Sequence, residues 1–247
     1  FFLRFFLNHG LLDITNRPQW YVIKGGSRSY IEPLTKGFAD NIRLNSPVDK
    51  VIRTESGVGV QVHGETHWFD DVIFACHSDQ AMRILSDISV TEQSILGDMA
   101  YQANEVVLHT DIGLLPKRKA AWAAWNYRLE GSKDEQQRLP SLTYNMNILQ
   151  HVQSEHTFCV TLNSTEQINP NKILRSFTYH HPVFTTESIA AQQRKDEVQG
   201  ERSTWFCGAY WYNGFHEDGV RSAIDVVQGL EQKYREQTSV SLEQGAA

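Results

Sequence analysis

The stretch Trp205-Phe206-Cys207-Gly208-Ala209-Tyr210-Trp211-Tyr212-Asn213-Gly214-Phe215-His216-Glu217-Asp218-Gly219-Val220 holds the residue types most able to do chemistry in this chain. Ser203–Tyr210 reads as a buried strand, Trp211–Asp218 as a glycine-containing loop, and Gly219–Arg235 as a helix. Small residues at the end of a strand let a ligand approach the backbone, and the unpaired amides of a helix start suit an anionic or carbonyl oxygen. The competing reading is an ordinary strand, loop and helix whose glycines only serve turns. Taken alone, the segment does not choose between them.

Other polar clusters invite chemistry less well. His180-His181 and His216-Glu217-Asp218 suggest a metal, yet adjacent side chains on a strand point apart and no H-x-x-x-H or H-E-x-x-H spacing occurs, so no metal is expected. Cys207-Gly208-Ala209-Tyr210-Trp211 has a superficial cysteine-protease look, but it stands near the wrong end of the chain and lacks downstream histidine and asparagine partners. Trp122 and Trp125 could stack a substrate; in an antiparallel sheet such residues more often serve the core or an interface.

The elements that would position these residues have two textures. Trp20–Ile23 leads as a strand into Lys24-Gly25-Gly26-Ser27, and Ser29–Ala39 reads as a helix, the order of an α/β unit. Ile42–Leu44, Val48–Arg53, Gly59–His63, Glu65–Phe69 and Val72–Cys76 have strand character. Val58, Val60 and Val62 alternate with Gly59 and Gln61, the pattern of a half-buried strand in a small antiparallel meander. Asp79–Leu85 and Thr91–Met99 read as helices. Glu105–Thr110, Ala120–Tyr127, Ser141–Leu149 and Thr157–Leu162 then read as strands of a mostly antiparallel sheet, separated by polar loops of which Glu130–Pro140 is the longest. On the C-terminal helix, Ile224, Val227, Leu230 and Tyr234 share one face. Near the N-terminus, Phe2, Phe5, Phe6, Leu11 and Leu12 suggest an amphipathic helix, core-facing rather than a membrane-surface anchor because Arg4 is the only basic residue there.

Composition bounds the function. With 247 residues the chain has room for a core of one or two domains, and 40% hydrophobic with 21% charged residues excludes disordered and fibrous classes. A net charge of −6, from 23 basic and 29 acidic side chains, gives no reason to expect nucleic acid or an anionic membrane as partner. The apolar stretches are too short to span a bilayer. Cys76, Cys159 and Cys207 fit neither a disulfide framework nor a zinc spacing, so a soluble, cytoplasmic protein is expected.

The C-terminal segment resembles a family. Gly208-Ala209 followed by Gly214-Phe215-His216-Glu217 and a helix is similar to the flavin-contacting segment of the FAD-dependent amine oxidase superfamily, which includes monoamine oxidases and phytoene desaturases. Trp20–Ser27, Trp122–Tyr127, His181–Phe184 and Gly214–Gly219 are similar to segments of a bacterial branch of flavin-containing amine oxidases and NAD/FAD-binding proteins. The resemblance covers nearly the whole chain. It implies FAD as cofactor and a small molecule as substrate. It further implies that Val48, by its backbone, holds the adenine, that Gly208 and Ala209 pass the pyrophosphate and ribityl chain, and that Phe215, His216 and Glu217 form the helix entrance over the flavin pyrimidine. There the positive helix end would favour electron density in reduced flavin. His181 and Phe184 would line the substrate side, or make a structural His-Pro turn. No catalytic residue is assigned. Tyr210 and Trp211 stand where family members often carry Glu.

The family's N-terminal strand, G-x-G-x-x-G turn and helix are absent from this sequence: Gly57-Val58-Gly59 has Val62 where the third glycine belongs. The expectation is therefore the C-terminal part of a longer flavoprotein, or a degenerate copy. Its fold class would be α/β with an α+β insertion: a partial, Rossmann-like, three-layer FAD-binding domain from 20–100 and 200–240, and an antiparallel-sheet substrate domain from 1–19 and 101–199. Two functions remain open, the C-terminal part of an amine-oxidase-type oxidoreductase and a non-catalytic remnant or interaction module that binds no flavin.

Overall fold

A computed structural model describes residues 10, 12–16, 19, 21–128 and 141–245, the side chains of 240–245 excepted. Most of the expected N-terminal amphipathic helix and all of the 130–140 loop lie outside the described residues. Along the chain the strands are β1 (Val48–Thr54), β2 (Gly57–Val62), β3 (Glu65–Phe69), β4 (Val72–Phe74), β5 (Tyr101–His109), β6 (Trp125–Arg128), β7 (Ser141–Asn145), β8 (Cys159–Leu162), β9 (Ile173–Pro182) and β10 (Thr204–Phe206). The α-helices are α1 (Ile31–Thr35), α2 (Ser78–Ile84), α3 (Val90–Gly97), α4 (Met146–Leu149), α5 (Thr186–Gln193) and α6 (His216–Gly245). They make a mixed α/β chain with two compact units: one contains Arg43–Tyr101 and the chain from Pro182, the other Gln102–His181 and the segment ending at Ile42.

In the first unit, β1, β2 and β3 form the antiparallel meander that the alternating valines predict, with Val51 opposite Val60 and Val58 opposite Phe69. Val51 and Val58 are buried there. A second sheet pairs β4 and β10 in parallel, Phe74 beside Phe206, and the chain continues the pairing with Cys207 N–H donating to Phe74 O at 2.9 Å. Parallel strands are normally buried on both faces, and here each face has its own cover. Phe74 and Phe206 stack at 5.3 Å within the larger core with Val51, Ala81, Ile95 and Leu96. Trp205 and Cys207 pack on the other face against Val226, Ala223 and Leu230 of α6.

Arg53 ties β1 to α3 and to the loop before it. Its guanidinium makes a two-pronged pair with Glu92 on α3, at 2.5 and 3.0 Å, and donates to the Asp87 carboxylate (3.0 Å) and carbonyl (2.8 Å). Glu92 also accepts from Ser89 N–H (2.8 Å) while Ser89 Oγ accepts from Glu92 N–H (3.2 Å), the capping box that starts α3.

Several elements differ from the sequence expectation, each for a local reason. Residues 21–23 and 42–44 form no strand; Ile23 O instead accepts from Gly26 N–H at 2.9 Å in a turn, and no strand lies alongside. The helix expected over 29–39 is split into a 3-10 turn Ser27–Tyr30, α1 and a 3-10 turn Ala39–Asn41. Helix α6 begins at His216, three residues earlier than expected. Asp218 Oδ2 accepts from Phe215 N–H at 2.9 Å and so caps the start, while Gly214 takes the left-handed conformation, φ +89°, that turns the chain into it. The face of α6 that packs only partly follows the apolar stripe of Ile224, Val227, Leu230 and Tyr234: Leu230 packs beside Trp205 and Val226, but Ile224 and Val227 are each 51% exposed, Tyr234 is exposed too, and Ser222 and Val226 are buried. Two specific contacts set that rotation. Gly208 N–H needs the Ser222 hydroxyl (2.9 Å), and the Trp205 ring lies over Gly229, where a Cβ would meet Trp205 Cζ3 at 2.5 Å.

The second unit contains a five-stranded sheet of order β6-β7-β8-β5-β9, antiparallel in β6–β7, β7–β8 and β8–β5. The expected strand over 141–149 stops at Asn145, whose side chain accepts from Ile148 N–H (3.3 Å) and opens α4. A buried polar row crosses this sheet. His109, fully buried, accepts from Asp111 N–H through Nδ1 (3.1 Å), so its proton sits on Nε2 and is donated to Thr161 Oγ1 (2.7 Å), which in turn bonds Thr143 Oγ1 (2.8 Å). Burial pushes the His109 imidazole below its ordinary value. The unfolded chain therefore binds this proton first on acidification, and stability is lost as pH falls below about 6.5, at up to about 1.4 kcal/mol per pH unit. Urea midpoints between pH 7.5 and 5.5 should fall less steeply in His109→Gln than in the unchanged protein; equal slopes would show that His109 does not carry the dependence.

Candidate functional site

The C-terminal ends of parallel strands are where open α/β sheets hold ligands, and β4 and β10 both end at the segment the sequence singles out. Phe206 is fixed from two directions. Gln199 brackets its peptide group, accepting from Phe206 N–H (3.0 Å) and donating to Phe206 O (2.8 Å), and Trp211 Nε1–H donates to the same carbonyl at 3.0 Å. Gly208 follows, its N–H held by Ser222 Oγ, which donates onward to Gly219 O (2.8 Å). Ala209–Trp211 forms a 3-10 turn, and Ala209 O accepts from Gly214 N–H at 3.1 Å, closing the loop. Gln192 on α5 pins the turn by donating to Tyr210 O (2.8 Å) and Tyr212 O (2.6 Å).

The structure thus gathers Gly208, Ala209, Phe215, His216 and Glu217 at one place. Phe184 joins them, since a Cβ on Gly214 would lie 3.1 Å from its ring. Val48 stands elsewhere in the same unit, at the start of β1 opposite Val62, partly buried against the core. His181 belongs to the second unit, on β9, where its Nδ1 accepts from the Asn104 amide at 3.0 Å. Trp122 donates to Pro116 O at 2.8 Å, and Trp125, half exposed, meets Tyr144 edge-on at 5.8 Å. Cys76, Cys159 and Cys207 are free thiols, each pushed up by burial, Cys159 to about 11. No group of three potential metal ligands occurs among the described residues.

Sequence reasoning singled out Tyr210 only as a departure from the family's pattern; where its ring goes could not be read. The ring folds back over Gly208, so that a Cβ there would lie 2.3 Å from Tyr210 Cε1 and 2.7 Å from Cδ1. Tyr210 is 3% exposed, with Trp211 at 5.1 Å and Tyr101 edge-on at 6.5 Å. Its hydroxyl is buried without a hydrogen-bond partner, the one indole N–H beside it being committed to Phe206 O. Burial holds the phenol far above its ordinary value, so it stays protonated. Tyr101, stacked on His77 at 4.1 Å, is pushed up in the same way.

These contacts test whether FAD fits the residues that the resemblance assigns to it. As folded, they do not. The open side of Gly208, where a cofactor would meet bare backbone, is filled by the Tyr210 ring. The Phe215 N–H at the helix entrance is taken by Asp218. An open groove on α6, lined by Val227, Leu230, Tyr234 and Arg235, starts 11 residues beyond His216, about 16 Å along the helix, and is no substitute.

No protein-family model matches the chain, and no curated protein matches it. Solved structures do. The conjugated-linoleic-acid-producing fatty acid isomerase of P. acnes aligns with a TM-score of 0.58 at 11% identity, over 82% of this chain and 51% of that one. A protein assigned as protoporphyrinogen oxidase from Exiguobacterium sp. 255-15 aligns with a TM-score of 0.58 at 15% identity, over 94% and 58%. Cyclohexylamine oxidase from Brevibacterium oxydans IH-35A aligns with a TM-score of 0.52 at 11% identity, over 83% and 53%. The chain shares its fold with these structures and spans between half and three-fifths of their length.

Proposed function

We propose that this chain is the C-terminal part of a flavin-dependent oxidoreductase of the amine oxidase type, acting on a small molecule. The observation that carries the reading is the parallel pair β4–β10 running through Gly208 and Gly214 into α6, a strand, loop and helix in the family's order, within a fold shared with these enzymes. In that reading Val48 would serve the adenine end of FAD and, once the Tyr210 ring and the Asp218 cap give way, Gly208 and Ala209 would serve its middle and Phe215, His216 and Glu217 its pyrimidine end. His181 and Phe184 lie toward the substrate. A glycine-rich phosphate turn is not among these 247 residues. When bound, FAD supplies the redox chemistry, and this chain supplies orientation and the electrostatics of a helix start.

The second reading, a chain that binds no flavin by itself, is favoured for these 247 residues by the Tyr210 ring over Gly208 and the Asp218 cap on Phe215. Thermal unfolding separates the two. The chain alone should unfold at one temperature with or without FAD. The full gene product containing it should gain about 3 °C with FAD at a hundredfold excess over its dissociation constant, because ligand binding to the native state adds about 2.7 kcal/mol there. A gene product that gains nothing would leave only the second reading.

A further inference from the structure

Tyr210 stands out from every other buried aromatic side chain at this place: its ring fills the space over a glycine, and its hydroxyl has no partner. A buried hydroxyl normally finds one. The backbone around it is well tied, by Gln192 to the 210 and 212 carbonyls and by Trp211 to Phe206 O, so the turn holds its place without the phenol. The ring itself packs against Trp211 and Tyr101. Outward rotation would return the hydroxyl to water and bare the Gly208 backbone, whose N–H direction is already fixed by Ser222.

We infer that Tyr210 is a displaceable stopper: its ring occupies the ligand space over Gly208, and a planar or phosphate-bearing ligand reaches that backbone only when the ring leaves. The identification of that ligand as a flavin nucleotide rests on the function proposed above; the occupied space does not. Binding is therefore coupled to a side-chain movement, and the affinity of the unchanged protein is lowered by the share of molecules in which the ring is in place.

Two readouts test this. In the isolated chain, Tyr210→Phe removes only the orphaned hydroxyl and should raise Tm by about 2–4 °C, since an unsatisfied buried polar group is lost at no cost in packing. A lowered Tm would show that the hydroxyl has a partner, and would overturn the stopper. Tyr210→Ala should leave a phenol-shaped space that binds p-cresol, seen as a rise in Tm that the unchanged chain lacks. In the full gene product, Tyr210→Ala should bind FAD about tenfold more tightly than the unchanged protein, and p-cresol should compete. Equal FAD affinity in the two proteins would overturn the proposal. Binding of p-cresol to the variant with FAD bound by neither protein would support the occupied space and contradict the flavin reading. Should Tyr210→Ala fail to fold, Tyr210→Leu keeps apolar bulk without the ring and enters the same FAD comparison.

Discussion

Replacing Arg53 by methionine is expected to lower the unfolding free energy by about 3–5 kcal/mol, because it leaves the Glu92 carboxylate buried without its partner. The side chains of Arg53 and Glu92 are 0% and 3% exposed, so water cannot compensate. The double replacement Arg53→Met with Glu92→Met should cost less than the sum of the two single ones, since two apolar groups leave no charge stranded; urea unfolding of the four proteins measures the coupling. The pH dependence has a definite sign. Burial pushes the Glu92 carboxyl up, but the hydrogen bonds and charge of Arg53 outweigh it and hold it below the usual carboxylate range. Its contribution is thus present above the unfolded value of about 4.3 and is lost as pH falls through the lower folded value. Single and double variants whose losses simply add would show that the pair is not coupled.

Phe206→Ala should cost about 3–5 kcal/mol, the range for deleting a buried aromatic ring. The ring is fully buried, stacked on Phe74 across the parallel pair, and the strand it belongs to is only three residues long. Losing it leaves a cavity where β4 and β10 meet, directly before Gly208. Phe206→Leu retains much of the volume and should cost under about 1.5 kcal/mol. Denaturant midpoints distinguish the two outcomes. Equal, small losses would mean that β10 is held by its neighbours and not by this ring.

The parts of the fold legible in the sequence are those whose period is set by one face of burial. Val58, Val60 and Val62 announce the meander, and the helices over 78–84 and 90–97 carry acidic or capping residues at their starts. Elements whose formation depends on distant partners were not legible. The stretch from Ile173 to Gln193 becomes β9 and α5 without a strong apolar period. The packed face of α6 is not legible from its apolar stripe, because its orientation is decided by a hydroxyl, Ser222, and by a missing side chain, Gly229, rather than by Ile224 and Val227. At the candidate site, the order of Gly208, Gly214 and the helix could be read directly. The closing of that site could not, because it depends on one rotamer of Tyr210 and on which acidic residue caps α6. Asp218, three residues after Phe215, is a signal that capping rules could have used.

Among the described residues no helix is long and apolar enough to cross a membrane. The visible absorption spectrum of the full gene product containing this chain, purified with FAD and freed of unbound cofactor, tests its assignment to a flavin oxidoreductase most directly. The bands of oxidised flavin, bleached on anaerobic reduction, are the result expected; a colourless protein that stays colourless after incubation with FAD would contradict it.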